Sequence, residues 1–516
     1  MDIGTLITRA AKRFGDRIAV EGPDGTRTYA ELGDRVTRLA NALYDAGLRP
    51  GDRVLDLQKN STAYFETDLA IRAAGLVRAA LNYRLHPTDW VRIAADSGAR
   101  GLIYHASLAE AAEPLLALDF AAVVKVGSGA GPGAEFESLI AQARTDALPA
   151  LDPDALCGLH YSSGTTGHPK GAQRTHRNWL ASVVNMTQDV LGGPPGPSDC
   201  YVHAGPITHT SGLFVLPFLV SGARQMILPS WDPEAFLDAV ARGATHTAMV
   251  PTMVARLLAH PGADRQSLAS LKLLAYAGAP MPPEQMRAAY EGLTPNLVQY
   301  YGLVEAIPPV TVLDADLHRR GLSGEPHLLR SAGRPALGVE IAVVDDAGQL
   351  VPAGEAGEVI TRGDHVMAGY FNAEARADLG KAVVGGWLHT GDVGRMDEEG
   401  LLWLVDRRGD MIISGGYNIY PREVEDVVAE VPGVGEVAVV GVSDADWGQR
   451  VVALVTTLPG ASVDAEAVRA HCAARLASYK KPKEVRVVDS FPLNSTGKIA
   501  KKVLREQLEA EGSADE

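Results

Sequence analysis

Short apolar runs alternate with helical patterns along the first 400 residues of the chain. Residues 29–47 have helical spacing of apolar positions and end at Gly47, a common stop signal. Four other runs have the length and the β-branched content of buried strands: RVLDLQ (53–58), GLIYHA (101–106), AAVVKVG (121–127) and QMILP (225–229). Strands that alternate with helices predict an α/β fold with parallel sheets.

The first twenty residues predict an amphipathic helix. They contain no continuous apolar core of signal-peptide length, and Ile7, Ala10 and Phe14 fall on one helical face. The apolar run at 213–220 is far shorter than the ~20 residues that a membrane span needs. We therefore expect no export signal and no membrane span.

The pattern changes near residue 405, where a smaller unit is predicted to begin. A helix is expected at 421–431, strands at 437–442 and 451–457, a helix near 464–477 and a strand at 485–489. A charged helix is expected at the C-terminus. The segment is close to the usual size of one domain.

Composition limits the class of protein and its partners. A chain of 516 residues exceeds the roughly 250–300 at which single cores stop growing, so at least two structural units are expected. The net charge of -15 argues against nucleic acid or an anionic membrane as the main partner. The three cysteines lie too far apart for a zinc site or a disulfide framework, which predicts a reducing compartment, the cytoplasm.

The stretch YSSGTTGHPKGA (161–172) is the strongest candidate for chemistry. Its glycines let a ligand approach the backbone, its hydroxyls add hydrogen-bond donors, and its lysine adds a mobile positive charge. These properties suit a polyphosphate. The Walker spacing fails, since Pro169 stands where the second glycine is needed and Lys170 precedes Gly171. A flexible surface turn is the competing interpretation.

Other motifs give no support to alternative chemistries. The glycines at 127–133 do not form Gly-x-Gly-x-x-Gly, and no Gly-x-Ser-x-Gly occurs. Ser495 and Lys498 match Ser-x-x-Lys without the companion motifs of serine acyl-enzymes. His203 and His209 lack a third metal ligand.

Six motifs in a fixed order resemble the adenylate-forming superfamily, which contains acyl- and aryl-CoA synthetases, luciferases and peptide-synthetase adenylation domains. The resemblance covers nearly the whole chain. The motifs are YSSGTTGHPKGA (161–172), YAGAPM (276–281), QYYGLVEA (299–306), GWLHTGDVG (386–394), DRRGDMIISGGYNIYPREVE (406–425) and NSTGKI (494–499).

The resemblance implies an adenylate-forming enzyme fold of two parts. A large N-terminal adenylation domain with parallel sheets and several subdomains would cover 1–405, and a small mobile α+β lid domain would cover 411–516. Residues 406–410 would form the hinge, with Gly409 at the position where many members carry Asp or Lys. A homodimer is left open.

The resemblance also implies roles for individual residues. Glu305 would bind Mg²⁺, Lys498 would neutralise charge at the α-phosphate, and His209 would stand at the acid pocket. The residues expected to bind the nucleotide are Ser162, Ser163, Thr165, Thr166 and Lys170 at the β- and γ-phosphates, Ala277, Gly278, Ala279, Tyr301 and Gly302 around adenine, and Asp392 and Arg407 at the ribose. Taken singly, several of these residues could have purely structural roles, such as closing a turn at Asp392 or forming a surface salt bridge at Arg407.

The implied reaction is an ATP-dependent ligation. A small-molecule carboxylic acid would attack the α-phosphorus of MgATP, release pyrophosphate and pass from the adenylate to CoA. The apolar segment PITHTSGLFVLPF (206–218) suggests an aryl, arylpropenoic or medium-chain acid.

One position departs from the family pattern. The usual Tyr-Gly-x-Thr-Glu contains Val304 in place of the threonine whose hydroxyl contacts the α-phosphate, so a donor is missing. This keeps a second hypothesis open, an adenylating enzyme with a carrier-protein thiol or an amine as acceptor, including a diazotase that activates nitrite. A non-catalytic nucleotide-binding protein is the third hypothesis, and the presence of Lys170, Glu305 and Lys498 argues against it.

Overall fold

The computed structural model describes residues 1–162, 170–372, 382–407, 410–414, 417–444, 447–458, 460–493 and 499–512, with the backbone alone at 162, 407, 417, 418 and 512. The helices of these residues are α1 (Ile3–Phe14), α2 (Tyr29–Asp45), α3 (Thr62–Ala73), α4 (Pro87–Ser97), α5 (Glu113–Leu116), α6 (Phe136–Gln142), α7 (His176–Asn185), α8 (Val215–Ser221), α9 (Pro233–Ala241), α10 (Pro251–Leu258), α11 (Pro283–Gly292), α12 (Ala315–Ser323), α13 (Pro421–Val428), α14 (Ala465–Arg475) and α15 (Lys501–Gly512).

The strands are β1 (Ile18–Gly22), β2 (Gly25–Thr28), β3 (Arg53–Leu57), β4 (Val77–Leu81), β5 (Gly101–His105), β6 (Ala122–Val126), β7 (Ala134–Glu135), β8 (Leu156–Ser162), β9 (Lys170–Thr175), β10 (Cys200–His203), β11 (Arg224–Ile227), β12 (His246–Met249), β13 (Leu273–Tyr276), β14 (Leu297–Leu303), β15 (Ala306–Leu313), β16 (Arg334–Pro335), β17 (Glu340–Val344), β18 (Gly357–Arg362), β19 (Val383–Val384), β20 (Trp387–Met396), β21 (Leu402–Arg407), β22 (Ile412–Ser414), β23 (Tyr417–Ile419), β24 (Val434–Asp444), β25 (Gly448–Thr457) and β26 (Glu484–Val487).

The chain forms two compact units. Unit 1 comprises Met1–Ile341 and Ile360–His389, and unit 2 comprises Ala342–Val359 and Thr390–Glu516. The chain passes from one unit to the other within β17, β18 and β20. The division into 1–405, a hinge at 406–410 and 411–516 stays a prediction.

Unit 1 contains a nine-stranded sheet with the order β16-β15-β14-β13-β12-β10-β11-β1-β2. The strands from β14 to β1 in this order are parallel to their neighbours, and antiparallel strands complete both edges. A second sheet has the order β7-β6-β5-β3-β4-β8-β9 and is parallel except for the β8–β9 hairpin. The predicted α/β class with parallel sheets is therefore confirmed.

Local sequence signals account for the first helices. Asp2 accepts a hydrogen bond from the backbone N–H of Thr5 and begins α1, whose apolar face is buried at Ile3, Ile7 and Ala10. Thr28 and Glu31 form a capping box that begins α2. The predicted stop lies just beyond the end of this helix, where Gly47 has φ 94°.

One face of the seven-stranded sheet is polar although it lies inside the protein. Arg78 of β4 forms ion pairs with Asp56 of β3 at 2.6 Å and with Asp68 of α3 at 3.0 Å, and Arg72 pairs with Asp68 at 2.9 Å. All four side chains are buried or nearly so. Removal of one member of such a network would leave an uncompensated buried charge.

Unit 2 holds the smaller sheets and the C-terminal helices. Its strands β24, β25 and β26 form one sheet, against which α13 and α15 pack, and β22 pairs with β23. The strands expected at 437–442, 451–457 and 485–489 correspond to β24, β25 and β26. In the described part of the chain no helix combines the length and the apolar character needed to cross a membrane, and all three cysteines are free and buried.

Candidate functional site

Several predicted site residues of unit 1 follow the carboxyl ends of adjacent parallel strands. His209 follows β10, residues 277–279 follow β13, and residues 301–305 form the end of β14 and the turn after it. The strands β10, β12, β13 and β14 are parallel neighbours, so their carboxyl ends lie at the same edge of the sheet. This edge is where ligands of open α/β sheets bind.

The segment after β13 turns sharply away from the sheet. Ala277 is buried and its N–H donates to the Met249 carbonyl at 3.2 Å, which ties the segment to the end of β12. Gly278 has φ 87°, a conformation that glycine adopts at little cost, and residues 278 and 279 are exposed. The backbone of this segment is therefore open to a ligand, and its contact with adenine stays a prediction.

The β14–β15 hairpin presents Glu305 in a two-residue turn. Leu303 pairs with Ala306, which leaves Val304 and Glu305 at the tip. A Cβ at Gly302 would stand 2.7 Å from Cγ of Pro308, so the hairpin closes only because this position carries no side chain. Gly302, which was predicted to bind the nucleotide, is therefore also needed for the two strands of the hairpin to approach each other.

Tyr370 contacts two predicted site residues, the phosphate residue Lys170 and the Mg²⁺ residue Glu305. Its hydroxyl donates to Oε1 of Glu305 at 2.7 Å, and Nζ of Lys170 lies 5.9 Å from the centre of its ring. Backbone hydrogen bonds of Gly171 and Gln173 with residues 369 and 371 hold this tyrosine beside β9. Sequence reasoning missed Tyr370, which lies outside the six motifs.

Two asparagines connect the second sheet to the loop that carries His209. Asn60, after β3, donates to the Gly205 carbonyl at 2.9 Å and accepts from the Ile207 N–H at 2.9 Å. Asn82, after β4, has its Nδ2 3.2 Å from Nε2 of His209. The Oδ1 of Asn82 accepts from a backbone N–H, so its amide nitrogen must donate and Nε2 of His209 accepts.

Arg174 is a buried cation next to the Glu305 turn. Its side chain projects from β9, 4 % of the residue is exposed, and Nη2 donates to the Val304 carbonyl at 2.7 Å. Its Nε has no hydrogen-bond partner among the described residues. Burial, with a smaller contribution from Arg72, lowers the pKa of Arg174 to about 9, so the guanidinium remains charged at neutral pH.

His160 and Trp179 lie beside this arginine. The Trp179 ring centre is 5.6 Å from Cζ of Arg174, 4.1 Å from Cζ of Arg72 and 5.8 Å from the His160 ring centre. Burial, followed by the positive charges of Arg174 and Arg72, holds the pKa of His160 well below its usual range. This histidine is therefore neutral at physiological pH.

The expected apolar wall of the acid pocket is packed into the core. Leu213 and Phe214 are buried, and Phe214 stacks on Tyr201 with ring centres 4.6 Å apart. Ser211 bonds His203 Nδ1 at 2.9 Å. The residues that follow β10 thus combine a rigid apolar base with His209 near the surface.

Unit 2 brings the two predicted ribose residues together. Asp392 of β20 and Arg407 of β21 are direct partners in the backbone pairing of two antiparallel strands. Asp392 is only 5 % exposed. The remaining predictions, the Ser162 side chain, Ser163, Thr165, Thr166, Lys498 and the hinge at Gly409, lie outside the described residues.

The residues present fit a metal carried by the nucleotide. Within the described ranges, no group of three or more His, Cys, Asp or Glu side chains is arranged to hold a metal ion. Mg²⁺ in phosphate-transfer sites is usually bound by one or two carboxylates together with substrate phosphates and water. The half-buried carboxylate of Glu305, oriented by Tyr370 and near Lys170, meets that requirement.

Comparisons with known proteins give a consistent picture. The chain matches the profile of the AMP-binding enzymes over residues 7–371 and the profile of the AMP-binding enzyme C-terminal domain over 423–498. A feruloyl-CoA synthase from an Amycolatopsis species is 38 % identical over 510 residues, which are 98 % of this chain and 99 % of that protein.

Solved structures also superpose over almost the whole chain. The amide bond synthetase McbA from Marinactinospora thermotolerans has a TM-score of 0.89 and 32 % identity, and the match covers 98 % of this chain and 99 % of that one. The o-succinylbenzoate CoA synthetase of Bacillus subtilis, in complex with ATP and a magnesium ion, has a TM-score of 0.83 and 29 % identity over 96 % and 98 % of the two chains.

Proposed function

Since the chain belongs to the family of AMP-binding enzymes, we propose that it is an ATP-dependent acid–CoA ligase that works through an acyl adenylate. The observation that carries this proposal is the Lys170–Tyr370–Glu305 arrangement at the carboxyl edge of the nine-stranded sheet. It places the cation at the start of β9 near the carboxylate that is proposed to bind the metal. The cofactors of this reaction are ATP, Mg²⁺ and CoA.

The first half-reaction joins the acid to AMP. An oxygen of the substrate carboxylate attacks the α-phosphorus, the bond from this phosphorus to the bridging oxygen breaks, and pyrophosphate leaves. Lys170 and the hydroxyls at 162–166 are proposed to hold the departing phosphates. Lys498 is proposed to stabilise the charge that develops at the α-phosphate.

In the second half-reaction the CoA thiolate attacks the acyl carbonyl and AMP leaves. Asp392 and Arg407 are proposed to hold the ribose, and residues 277–279 with Tyr301 the adenine. His209 is proposed to face the acid. Its Nε2, held by Asn82, already accepts a hydrogen bond and therefore does not offer a proton at that atom.

The acid is proposed to be an arylpropenoic, aryl or medium-chain acid. The apolar residues after β10 support this, and one relative is a feruloyl-CoA synthase. The test is the formation of acyl-CoA that depends on added acid, which chromatography detects. The three acids used as probes are ferulate, benzoate and octanoate. The proposal fails if none of them gives AMP and a CoA thioester above the rate without acid.

A second candidate keeps the adenylate and changes the acceptor to an amine. The amide bond synthetase among the structural neighbours supports it. The same acids are then incubated with ATP and either CoA or a primary amine. Acid-dependent AMP formation that yields amide but no thioester would favour this second candidate. If the protein were instead a diazotase that activates nitrite, it would release pyrophosphate when nitrite is supplied in place of the acid.

A further inference from the structure

We propose that Arg174 is a positioning residue for the metal–nucleotide site, acting through the turn that carries Glu305. The inference deepens the proposed function and rests on it. Arg174 donates directly to the carbonyl of Val304, the residue that precedes Glu305 in the two-residue turn. The contact links residues that are 130 positions apart in the chain. The guanidinium therefore fixes the height and direction from which Glu305 projects.

Arg174 projects from the same face of β9 as Lys170, one of the predicted phosphate residues. In the β8–β9 pair, Lys170 is opposite Ser162, and Arg174 is opposite Gly158. Alternate residues of one strand share a face, so Lys170 and Arg174 project from the same side of β9. Two positive side chains thus lie on one face of β9, and the second of them contacts the base of the Glu305 turn.

The ion pairs of neighbouring arginines show what is unusual about Arg174. Arg78 and Arg72, on the same buried polar face, each pair with carboxylates. Among the residues that the structure describes, no carboxylate lies within ion-pair distance of Arg174, and its Nε has no hydrogen-bond partner. The carboxylate of Glu305 acts on this charge without forming an ion pair with it. A buried cation without an ion pair is destabilising, so an anion that binds beside it would stabilise this charge.

The anion that fits is the polyphosphate of the metal–nucleotide complex. The positive charge is buried, where electrostatic interactions are screened less than in water. The guanidinium donates to the carbonyl of Val304, the residue before the acidic group that would hold the metal. Arg174 is therefore expected to strengthen nucleotide binding with metal and to weaken the stability of the empty protein.

The test compares Arg174→Met with Arg174→Lys and the matched control Arg177→Met. Methionine keeps much of the length and packing of the arginine and removes the charge. Arg177 lies three residues away, is half-exposed and pairs with Asp154, so its substitution removes the same charge at the surface. The first measurement is the melting temperature with and without MgATP, since ligand binding raises it according to affinity.

Arg174→Met is expected to melt at the same temperature as wild type, or higher, without ligand, and to require about tenfold to hundredfold more MgATP for the same rise. Arg174→Lys is expected to recover most of the affinity, and Arg177→Met to behave as wild type. A lower melting temperature of Arg174→Met with unchanged MgATP dependence would overturn the proposal. If neither Arg174 variant folds, the guanidinium is structural and the proposal is also overturned.

The second measurement tests the route through Glu305. The Mg²⁺ concentration for half-maximal MgATP stabilisation is determined for Arg174→Met, Glu305→Gln and the double variant. If Arg174 acts on the metal through the turn, the Mg²⁺ requirement of the double variant resembles that of Glu305→Gln, while the effect of the buried charge on the phosphates is measured by the MgATP titration. A full additional effect in the double variant would contradict that route. Because these readouts need only MgATP, they stand even if the wild-type protein makes no acyl-CoA and the proposed function fails.

Discussion

Tyr370 is the residue through which Lys170 and Glu305 are joined, and its hydroxyl contributes one hydrogen bond to a carboxylate. In Tyr370→Phe the ring under Lys170 is kept and this bond is lost. A hydrogen bond to a charged group is worth about 1.5–3 kcal/mol, so we expect turnover or Mg²⁺ affinity to fall ~10- to 100-fold. The measurement is acid-dependent pyrophosphate release at increasing Mg²⁺.

The control for Tyr370→Phe is Tyr104→Phe, which removes a hydroxyl that donates to the Pro132 carbonyl far from the site. Both variants should melt within a few degrees of wild type. If Tyr370→Phe released pyrophosphate with wild-type Mg²⁺ dependence, the hydroxyl would have no part in orienting Glu305.

At the scale of elements, the β14–β15 hairpin depends on Gly302. A methyl group there would meet Pro308 at 2.7–3.0 Å, which requires the two strands to separate. We expect Gly302→Ala to cost about 1–3 kcal/mol of stability and to reduce adenylation strongly, because the turn with Glu305 moves. Thermal melts and pyrophosphate exchange measure the two effects.

Gly292→Ala is the matched glycine variant. Its added methyl group would have Leu258 Cδ2 at 3.8 Å as its nearest neighbour, an ordinary contact at the end of α11. It should leave both stability and exchange close to wild type. Equal behaviour of the two alanine variants would show that the hairpin tolerates a wider turn.

The elements were more predictable from sequence than the contacts between them. The strands β3, β5, β6 and β11 and the helix α2 follow from local apolar patterns, and they lie within two residues of the expected bounds. The edge strand β7 is an exception, since no apolar pattern predicts it and it forms by pairing with β6. That pairing depends on a neighbour in the sheet and not on local composition.

The site was predictable where glycines and charges are clustered in the sequence. Tyr370, Asn60, Asn82 and Arg174 were missed because each acts through a partner far along the chain, at separations of 65 to 147 residues. The sequence holds a weak signal for the two asparagines and none for Tyr370 or Arg174. Both asparagines come just after buried strands, where the carboxyl ends of a sheet meet.

At the scale of the whole molecule, buried histidines determine how far the pH can fall before the protein loses stability. Burial lowers the pKa of several histidines to about 4, namely His176, His203, His246, His318 and His365. An unfolded histidine titrates near 6.5, so the unfolded chain binds protons first as the pH falls. The stability that depends on neutral histidine is complete above about pH 6.5 and is lost progressively toward pH 4.

We expect the urea midpoint to be constant between pH 7 and 8 and to fall steeply between pH 6.5 and 4.5. Over this range the free energy of unfolding should fall by more than about 1.4 kcal/mol per pH unit, the value for one histidine. Urea titrations at intervals of half a pH unit measure it. His318→Gln, which removes one of these groups, should lower the slope. A flat profile down to pH 4.5 would mean that these histidines accept protons in the native state.

The proposed lid motion makes a separate prediction at this scale. Gly409 lies in the link DRRGD (406–410), and its own position is outside the described residues. Proline fixes φ near −65° and removes the N–H, so Gly409→Pro should impair a rotation at this point. Pyrophosphate release should persist while transfer to CoA falls. A single-turnover assay that follows adenylate and thioester separately measures this, with a melt as the control for folding. A folded variant that forms both at wild-type rates would refute the hinge.

The ion pairs on the polar face of the seven-stranded sheet have a consequence for how this enzyme can acquire new substrates. Loss of one partner of a buried pair costs about 3–5 kcal/mol, a large share of the total stability of a typical domain. Substitutions at Asp56, Asp68 or Arg78 would thus be eliminated by selection whatever they did for activity. Variation that survives should accumulate in the segments after β10 and β13, since these strands end at the edge of the sheet where we propose that the ligands bind. Natural drift and laboratory libraries alike should therefore change the acid at these loops and leave the sheet beneath them unaltered.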